Sequence, residues 1–328
     1  MPKVLVTPHL LQHKPGPYKD ILEGAGLELV YPPAGSNTLR EEVIAGLLTP
    51  DIKGMLASTE PLNRKVLGNS ALRVVARMGV GYDSIDIAAA TEKGVAITIT
   101  PGTLEASVAE QTLALLLAVT RGVIERDREV RSGKWSRAPM PRLAGKTFGI
   151  VGLGRIGRAV VPRVKGLQMK VIAYEPFPNK EFVAANGIEL CALDDVFRRA
   201  DVVSLHSISS PDTYEMVDER RLRLMKPDAV FINTGRGSLV REEDLIMVMK
   251  EGHLFGAGLD VFKQEPLPLD SPILQLPNVV TATHVGGIDL ESQVATSRLA
   301  AQCIADLYQG KWPAECVVNR DLQGKWKW

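Results

Sequence analysis

Three charged or titratable residues in the second half of the chain have the types that a hydride-transfer site needs. Arg236 lies in Asn233-Thr-Gly-Arg-Gly237, Glu265 in Asp260-Val-Phe-Lys-Gln-Glu-Pro266, and His284 in Thr283-His-Val-Gly-Gly287. Each motif directly follows a short apolar run. A planar guanidinium can hold a carboxylate through two parallel hydrogen bonds. A histidine can exchange a hydroxyl proton while hydride moves to or from a nicotinamide. A glutamate beside it would orient the ring and favour its protonated form. Alone, each has a plainer reading: Arg236 as a turn residue, Glu265 as a loop acid, His284 as a hydrogen-bonded structural histidine. The glycines flanking Arg236 favour close backbone approach over exposure. His9, His13, His206 and His253 lack such company, although His206 ends a strand and could line a cofactor cleft.

The cofactor is read from Lys146–Glu175, where an apolar run, a glycine turn, an amphipathic segment and a second apolar run end in an acid. Gly152, Gly154 and Gly157 form G-x-G-x-x-G directly after the strand-like Phe148–Val151. The first glycine permits a tight turn, the second lets backbone approach a pyrophosphate, and the third allows close packing of helix on strand. Backbone N–H groups at the new helix start face the phosphate. Glu175 closes the second strand, where an acid suits a ribose 2′-hydroxyl and repels a 2′-phosphate, so NAD is expected rather than NADP.

These motifs need strand ends to stand on. In the first part of the chain, strand-like runs at Lys3–Pro8, Leu27–Tyr31, Ile52–Ala57, Arg73–Met78 and Val95–Thr100 alternate with helical segments. In the second part, runs at Phe148–Val151, Lys170–Tyr174, Val202–Leu205, Ala229–Asn233, Ala257–Asp260 and Val279–Ala282 do the same. Such alternation predicts α/β architecture with two doubly wound parallel-sheet domains. Between them, Thr103–Gly122 reads as one helix whose centre, Leu113–Val119, is apolar all round. It is either a buried helix joining two domains or a dimer contact. Arg121–Arg142, charged and broken by Pro139 and Pro141, reads as a mobile connection. A last helix is expected at Leu290–Tyr308, and Asp321–Trp328 as a surface tail.

Composition sets outer bounds. A chain of 328 residues has a prior of two domains. With 39 basic and 38 acidic residues, the net charge of +1 gives no electrostatic case for nucleic acid or a membrane surface. No apolar run approaches the roughly 18 residues of a membrane span. Three cysteines, Cys191, Cys303 and Cys316, are widely spaced and lack C-x-x-C, so neither a disulfide framework nor a metal site is expected. A reducing, cytoplasmic setting follows.

At these residues the sequence resembles the D-isomer-specific 2-hydroxyacid dehydrogenase family, most of all the short form of its D-3-phosphoglycerate dehydrogenase branch. The carriers are Arg77-Met-Gly-Val-Gly-Tyr-Asp-Ser-Ile-Asp86, Ser107-Val-Ala-Glu-Gln-Thr112, Gly152-Leu-Gly-Arg-Ile-Gly157, Asn233-Thr-Gly-Arg-Gly237, Asp260-Val-Phe through Glu265-Pro266, and His284-Val-Gly-Gly287. The resemblance implies a discontinuous flavodoxin-like substrate domain, 1–100 and 290–328, around a Rossmann NAD domain, 101–289. It implies a catalytic set of Arg236, Glu265 and His284. Cofactor contacts would come from Thr112, Arg155, Ile156, Glu175, Ser207, Thr234, Asp260 and His284 through Gly286 and Gly287, beside the three fingerprint glycines. A small 2-hydroxy or 2-oxo carboxylate would be held by Arg236 and the backbone of Gly79, Val80 and Gly81, with Ser58 in the nearby loop. A homodimer joined through the nucleotide domain is also implied.

Two departures from the family pattern matter. The loop Ala57-Ser-Thr-Glu-Pro61 has no arginine before Arg64, and Glu60 would repel a substrate phosphate, which favours a glyoxylate or hydroxypyruvate reductase as the alternative. Glu175 replaces a more usual aspartate. Formate dehydrogenases of this type pair the histidine with glutamine, and phosphite dehydrogenases carry lysine where Val80 stands, so neither is the better match. A reading from another class is an NADH-sensing, corepressor-like binding protein of the same fold.

Overall fold

The computed structural model describes residues 1–328, in two compact units: Met1–Leu104 with Leu290–Trp328, and Glu105–Asp289. Each is built on one all-parallel sheet. The first holds β1 (Lys3–Val6), β2 (Glu28–Val30), β3 (Ile52–Ala57), β4 (Val74–Arg77) and β5 (Ala96–Thr98), in the order β2-β1-β3-β4-β5. This is the flavodoxin-like order. The second holds β6 (Thr147–Val151), β7 (Lys170–Tyr174), β8 (Glu189–Leu190), β9 (Val202–Leu205), β10 (Val230–Asn233), β11 (Gly256–Leu259) and β12 (Val279–Thr281). Its order, β12-β11-β10-β9-β6-β7-β8, is the Rossmann order with a seventh strand.

Parallel strands need crossover helices on both faces, so their side chains are buried both ways. Successive residues accordingly enter opposite cores. In the first sheet Val4, Val6, Val74 and Ala76 pack with Leu22, Ile304 and Leu307, while Leu5, Met55, Val75 and Ile97 pack with Ile44, Val66 and Ala89. In the second, Phe148, Ile150 and Ile232 face Leu116 and Val160, while Val203, Phe231 and Leu259 face Phe197, Leu245 and Val248.

Three expectations need correction, and a fourth is sharpened. The second sheet has seven strands, because Glu189–Leu190 pairs with β7 as a two-residue edge strand; both residues are exposed and give no apolar signal. Within the supposed mobile connection, Val123–Arg131 is a helix with no buried residue, held by local pairs such as Arg131–Asp127 at 2.8 Å. The chain beyond it folds back, with Arg126 Nη2 donating to the Ala138 carbonyl at 2.5 Å. In the apolar helix Glu105–Arg121, Leu115, Leu116 and Val119 are buried within their own unit, and Leu117 is the large apolar residue left exposed. Finally, the C-terminal segment is no free tail. Trp326 donates its indole N–H to the Arg73 carbonyl at 3.0 Å, and Trp328 packs edge-on against Tyr308 with ring centres 4.9 Å apart. All three cysteines are free, although Cys303 and Cys316 lie within hydrogen-bonding reach of each other.

Candidate active site

Strand register builds the rim of the second unit. Tyr174, Val151, Leu205, Asn233, Leu259 and Thr281 are successive cross-strand partners. The residues that follow them, among them Glu175, Gly152, His206, Thr234 and Asp260, therefore leave the sheet at one level. This is the carboxyl edge, where doubly wound sheets bind ligands.

The glycine turn is shaped by contact. A Cβ on Gly152 would lie 2.7 Å from the His206 carbonyl carbon and the Ser207 nitrogen, and one on Gly157 would lie 2.3 Å from the Gly152 oxygen. Neither position accepts a side chain. Gly154 differs: it is exposed, caps the helix Arg155–Gly166 without a side-chain cap, and a Cβ there would meet nothing within 4 Å. Open space in front of uncapped helix N–H groups is the form of a pyrophosphate site. Arg155 is exposed and Ile156 half-buried at that helix start. Glu175 stands beside the turn, accepting from Leu153 N–H at 2.8 Å and Phe177 N–H at 3.0 Å. Both oxygens are thereby fixed in place, with lone pairs left for ribose hydroxyls. These residues fit a bound dinucleotide.

His206 closes the same edge. Its Nε2 shares a hydrogen with Ser204 Oγ at 2.9 Å, while Nδ1 is buried without a partner. Burial lowers its pKa to about 4, so the ring is neutral at ordinary pH. Ser207 donates to the Val151 carbonyl at 3.2 Å and so ties the two strand ends around Gly152. Thr112 is fully buried, bonded to the Val108 carbonyl at 2.8 Å and to the Thr234 hydroxyl at 3.0 Å.

The three candidate catalytic residues come from adjoining strand ends. His284 Nδ1 and Glu265 Oε2 are 2.6 Å apart, each side chain about one-third exposed. Glu265 Oε1 accepts from Phe262 N–H at 2.9 Å. Burial disfavours its charged form, but the hydrogen bond from His284, the Phe262 N–H and the Arg236 charge outweigh this and hold its pKa below the ordinary value. An ionised carboxylate only accepts, so Nδ1 carries the hydrogen and Nε2 is the nitrogen left for chemistry. His284 sits in the left-handed backbone region at φ 57°, held by its own N–H to the Asp260 carbonyl at 2.8 Å. Arg236 donates Nη1 to the Gly235 carbonyl at 2.8 Å. Its turn lies hard against the Glu265 loop, since a Cβ on Gly237 would fall 2.0 Å from the Phe262 carbonyl.

Two further residues shape this edge through their hydrogen bonds. Asp260, 1% exposed, turns inward: it accepts from Val285 N–H at 3.0 Å and Gly286 N–H at 2.8 Å, so it holds the loop carrying His284 and Gly287. Asn233 had no role assigned from sequence. It donates Nδ2 to the Arg236 carbonyl at 2.9 Å and accepts from Gly235 N–H at 3.0 Å, shaping the turn that presents Arg236. An asparagine just ahead of a Gly-x-Gly turn was the available signal.

In the first unit, Ser58 follows β3 and Gly79–Gly81 follow β4. The Gly79 N–H is already bonded to Thr100 Oγ1 at 2.9 Å. Glu60 is buried rather than facing a ligand, and Arg64 is paired with Glu92 and Asp86.

Comparison with known proteins identifies relatives of this chain. Residues 113–286 match the family model described as D-isomer specific 2-hydroxyacid dehydrogenase, NAD binding domain. A glyoxylate reductase of Korarchaeum cryptofilum is 41% identical over 80% of this chain and 81% of its own length. A D-3-phosphoglycerate dehydrogenase of Methanocaldococcus jannaschii is 36% identical over 85% of this chain but only 54% of its own. The structure of D-lactate dehydrogenase from Aquifex aeolicus, complexed with NAD and lactic acid, superposes with a TM-score of 0.84 at 25% identity, over 96% of this chain and 99% of that one.

Proposed function

The chain belongs to the D-isomer-specific 2-hydroxyacid dehydrogenase family, and from that premise we propose that it interconverts a small unphosphorylated 2-oxoacid and its D-2-hydroxyacid with NADH. The carrying observation is the 2.6 Å His284–Glu265 pair on the strand-end rim that also holds Arg236 and the glycine turn. The second unit binds the cofactor and the first contributes to the substrate. When bound, the nicotinamide supplies or takes up the hydride. Arg236 holds the substrate carboxylate in bidentate fashion. His284 Nε2 gives its proton to the carbonyl oxygen in reduction and removes it from the hydroxyl in oxidation. Glu265, kept ionised, orients the ring and stabilises the imidazolium.

Substrate choice is supported by the loop after β3, which offers a phosphate no arginine, and by the name of the 41%-identical relative. The substrate proposed is accordingly a glyoxylate- or hydroxypyruvate-like acid. The test is NADH oxidation with glyoxylate, hydroxypyruvate, pyruvate and 3-phosphohydroxypyruvate. Turnover is expected with the small unphosphorylated acids; no turnover with any of them would move the assignment to a binding protein.

The same proposal includes a homodimer formed through the second unit. Leu117, Val123, Ile124 and Val130 are exposed along consecutive helices, and Trp135 beyond them is 78% exposed. Apolar surface of this kind marks an interface. Light scattering should give twice the 35.7 kDa chain mass. Three unbridged cysteines fit a reducing compartment, and we place the enzyme in the cytoplasm.

A further inference from the structure

We propose that the C-terminal aromatic cavity of the first unit binds a small aromatic anion, a planar ring bearing a carboxylate or a phosphate. The site lies apart from the candidate active site, and its ligand is distinct from the substrate and cofactor proposed above.

The cavity, of about 370 Å³, is formed by the end of the last helix, Leu290–Tyr308, and the C-terminal segment. That volume falls in the roughly 300–1,000 Å³ range of small-molecule sites. Tyr308, Trp312, Trp326 and Trp328 line it; each packs against the core that holds Val74 and Ile304, yet stays only half-buried. The rings meet at steep angles: 59° between Trp312 and Trp326, 73° between Trp326 and Trp328, 61° between Tyr308 and Trp328. No such pair is stacked in parallel, so no ring covers the whole face of another, and face area remains for a guest. On the same wall, a Cβ added at Gly310 or Gly324 would meet nothing within 4 Å. The hydrogen bond from Trp326 to the Arg73 carbonyl puts the cavity at the start of β4, the end opposite Gly79.

Three features define the ligand. Indole and phenol faces stack on a planar ring and are indifferent to its exact identity. The second feature is an orphaned donor. Trp326 spends its indole N–H on Arg73, whereas Trp312 Nε1 is buried and meets no acceptor. An indole nitrogen only donates, and a buried donor left unmade costs free energy, so the site calls for an acceptor oxygen. The third is charge. Lys311 and Lys327 line the cavity, neither forms an ion pair, and no aspartate or glutamate lines it. Aromatic cages elsewhere hold quaternary ammonium groups. Here two lysines with no opposing side-chain carboxylate repel a cation and attract an anion. A self-sufficient aromatic plug would need neither the open volume nor the unmet N–H.

The experiment is calorimetric titration of the full chain with indole-3-acetate and phenyl phosphate, with neutral indole, acetate and tetramethylammonium as controls. At least one aromatic anion should bind, one per chain, about tenfold tighter than indole or acetate, the size of one charge-assisted hydrogen bond. Which of the two binds better identifies the anionic group. Trp312→Phe keeps a ring and removes the donor, and should raise Kd about tenfold. Trp328→Ala removes a stacking face and should cost about as much. Replacing Lys311 and Lys327 by Gln should weaken binding about threefold and flatten its salt dependence, since both lysines are exposed. Arg236→Ala should leave Kd unchanged, which separates this cavity from the candidate active site. In wild type, no binding of either anion overturns the proposal, as does equal affinity for indole or tighter binding of tetramethylammonium; none of these depends on a variant folding. An unchanged Kd in Trp312→Phe, or binding lost in Arg236→Ala, overturns it as well.

Discussion

The two sheets share a parallel, doubly wound construction, and their carboxyl edges are put to opposite uses. In the second unit four strand ends lead to charged or titratable side chains: Glu175 after β7, Arg236 after β10, Glu265 after β11, His284 after β12. Backbone closeness holds them, with Gly237 pressed on Phe262 and Gly286 on Asp260. In the first unit the strand ends offer backbone N–H groups and small hydroxyls, and an acid of that edge, Glu60, is buried as a staple. Architecture thus supplies an edge and not a chemistry. What differs is whether the loops are packed to aim side chains or to bare the main chain.

The strongest way to break this comparison is to remove a side chain from the reactive edge. General acid–base catalysis typically contributes 10²–10⁴-fold, so His284→Gln should lower kcat by about that factor while NADH still binds. Near-normal turnover would place the proton transfer elsewhere. Glycines probe the same contrast at lower amplitude. In Gly237→Ala the new Cβ would lie 2.0 Å from backbone that cannot yield. A 1 Å displacement of catalytic groups can cost on the order of 100-fold, so kcat should fall accordingly, with about 1–3 kcal/mol of stability lost to overpacking. In Gly79→Ala the clash at 2.2 Å is with the end of the Arg77 side chain, and the strain lies in a φ of 146°. That change should raise KM for the oxoacid more than it lowers kcat. Equal kcat losses in the two variants would erase the distinction between the edges.

Acid sensitivity should also belong to the second unit. His206 is held neutral, with a folded pKa near 4 against 6.5 unfolded. Between these values the unfolded chain binds the extra proton, so stability falls as pH drops from 6.5 and the loss is complete below 4. The difference amounts to about 3 kcal/mol. Glu265 adds in the same direction: its folded pKa is lowered, so the stability it contributes is present above its unfolded value and lost as pH falls through the folded one. Melting temperatures of wild type and His206→Asn between pH 7 and pH 4.5 should diverge, with the variant less acid-sensitive. Parallel curves would mean that His206 is solvated enough to protonate in place.

How much of this could be read in the sequence depends on the range of the forces involved. Strands buried on both faces announce themselves as apolar runs, and the last helix was legible over its full length, Leu290–Tyr308. The reactive trio was legible because the topology puts consecutive strand ends on one edge. The short strand Glu189–Leu190 and the helix Val123–Arg131 bury nothing, so no periodicity marks them. Carboxylate direction was equally hidden. Asp260 and Glu60 are acids in the expected loops, but their partners, Gly286 and Thr38, are chosen by packing 26 and 22 residues away. A sequence gives the donor and acceptor inventory; the fold decides which members of it are already taken.

The smallest effect concerns the C-terminal segment, where the first unit does depend on a side chain. Trp326 combines an indole hydrogen bond to the Arg73 carbonyl with packing near Trp312 and Trp328. Arg73 immediately precedes β4, the strand whose other end carries Gly79, so the bond steadies that strand from the edge opposite the candidate site. Trp326→Phe removes the donor and keeps most of the ring. A typical net hydrogen bond is worth about 1 kcal/mol, which should appear as a lowered denaturant midpoint with an unchanged slope. Because the lost bond lies at the far end of β4, KM for the oxoacid should stay constant. If KM rose with the loss of stability, the backbone of Val80 and Gly81 would be shown to rely on distant anchoring, and the two edges would be less different than their residues suggest.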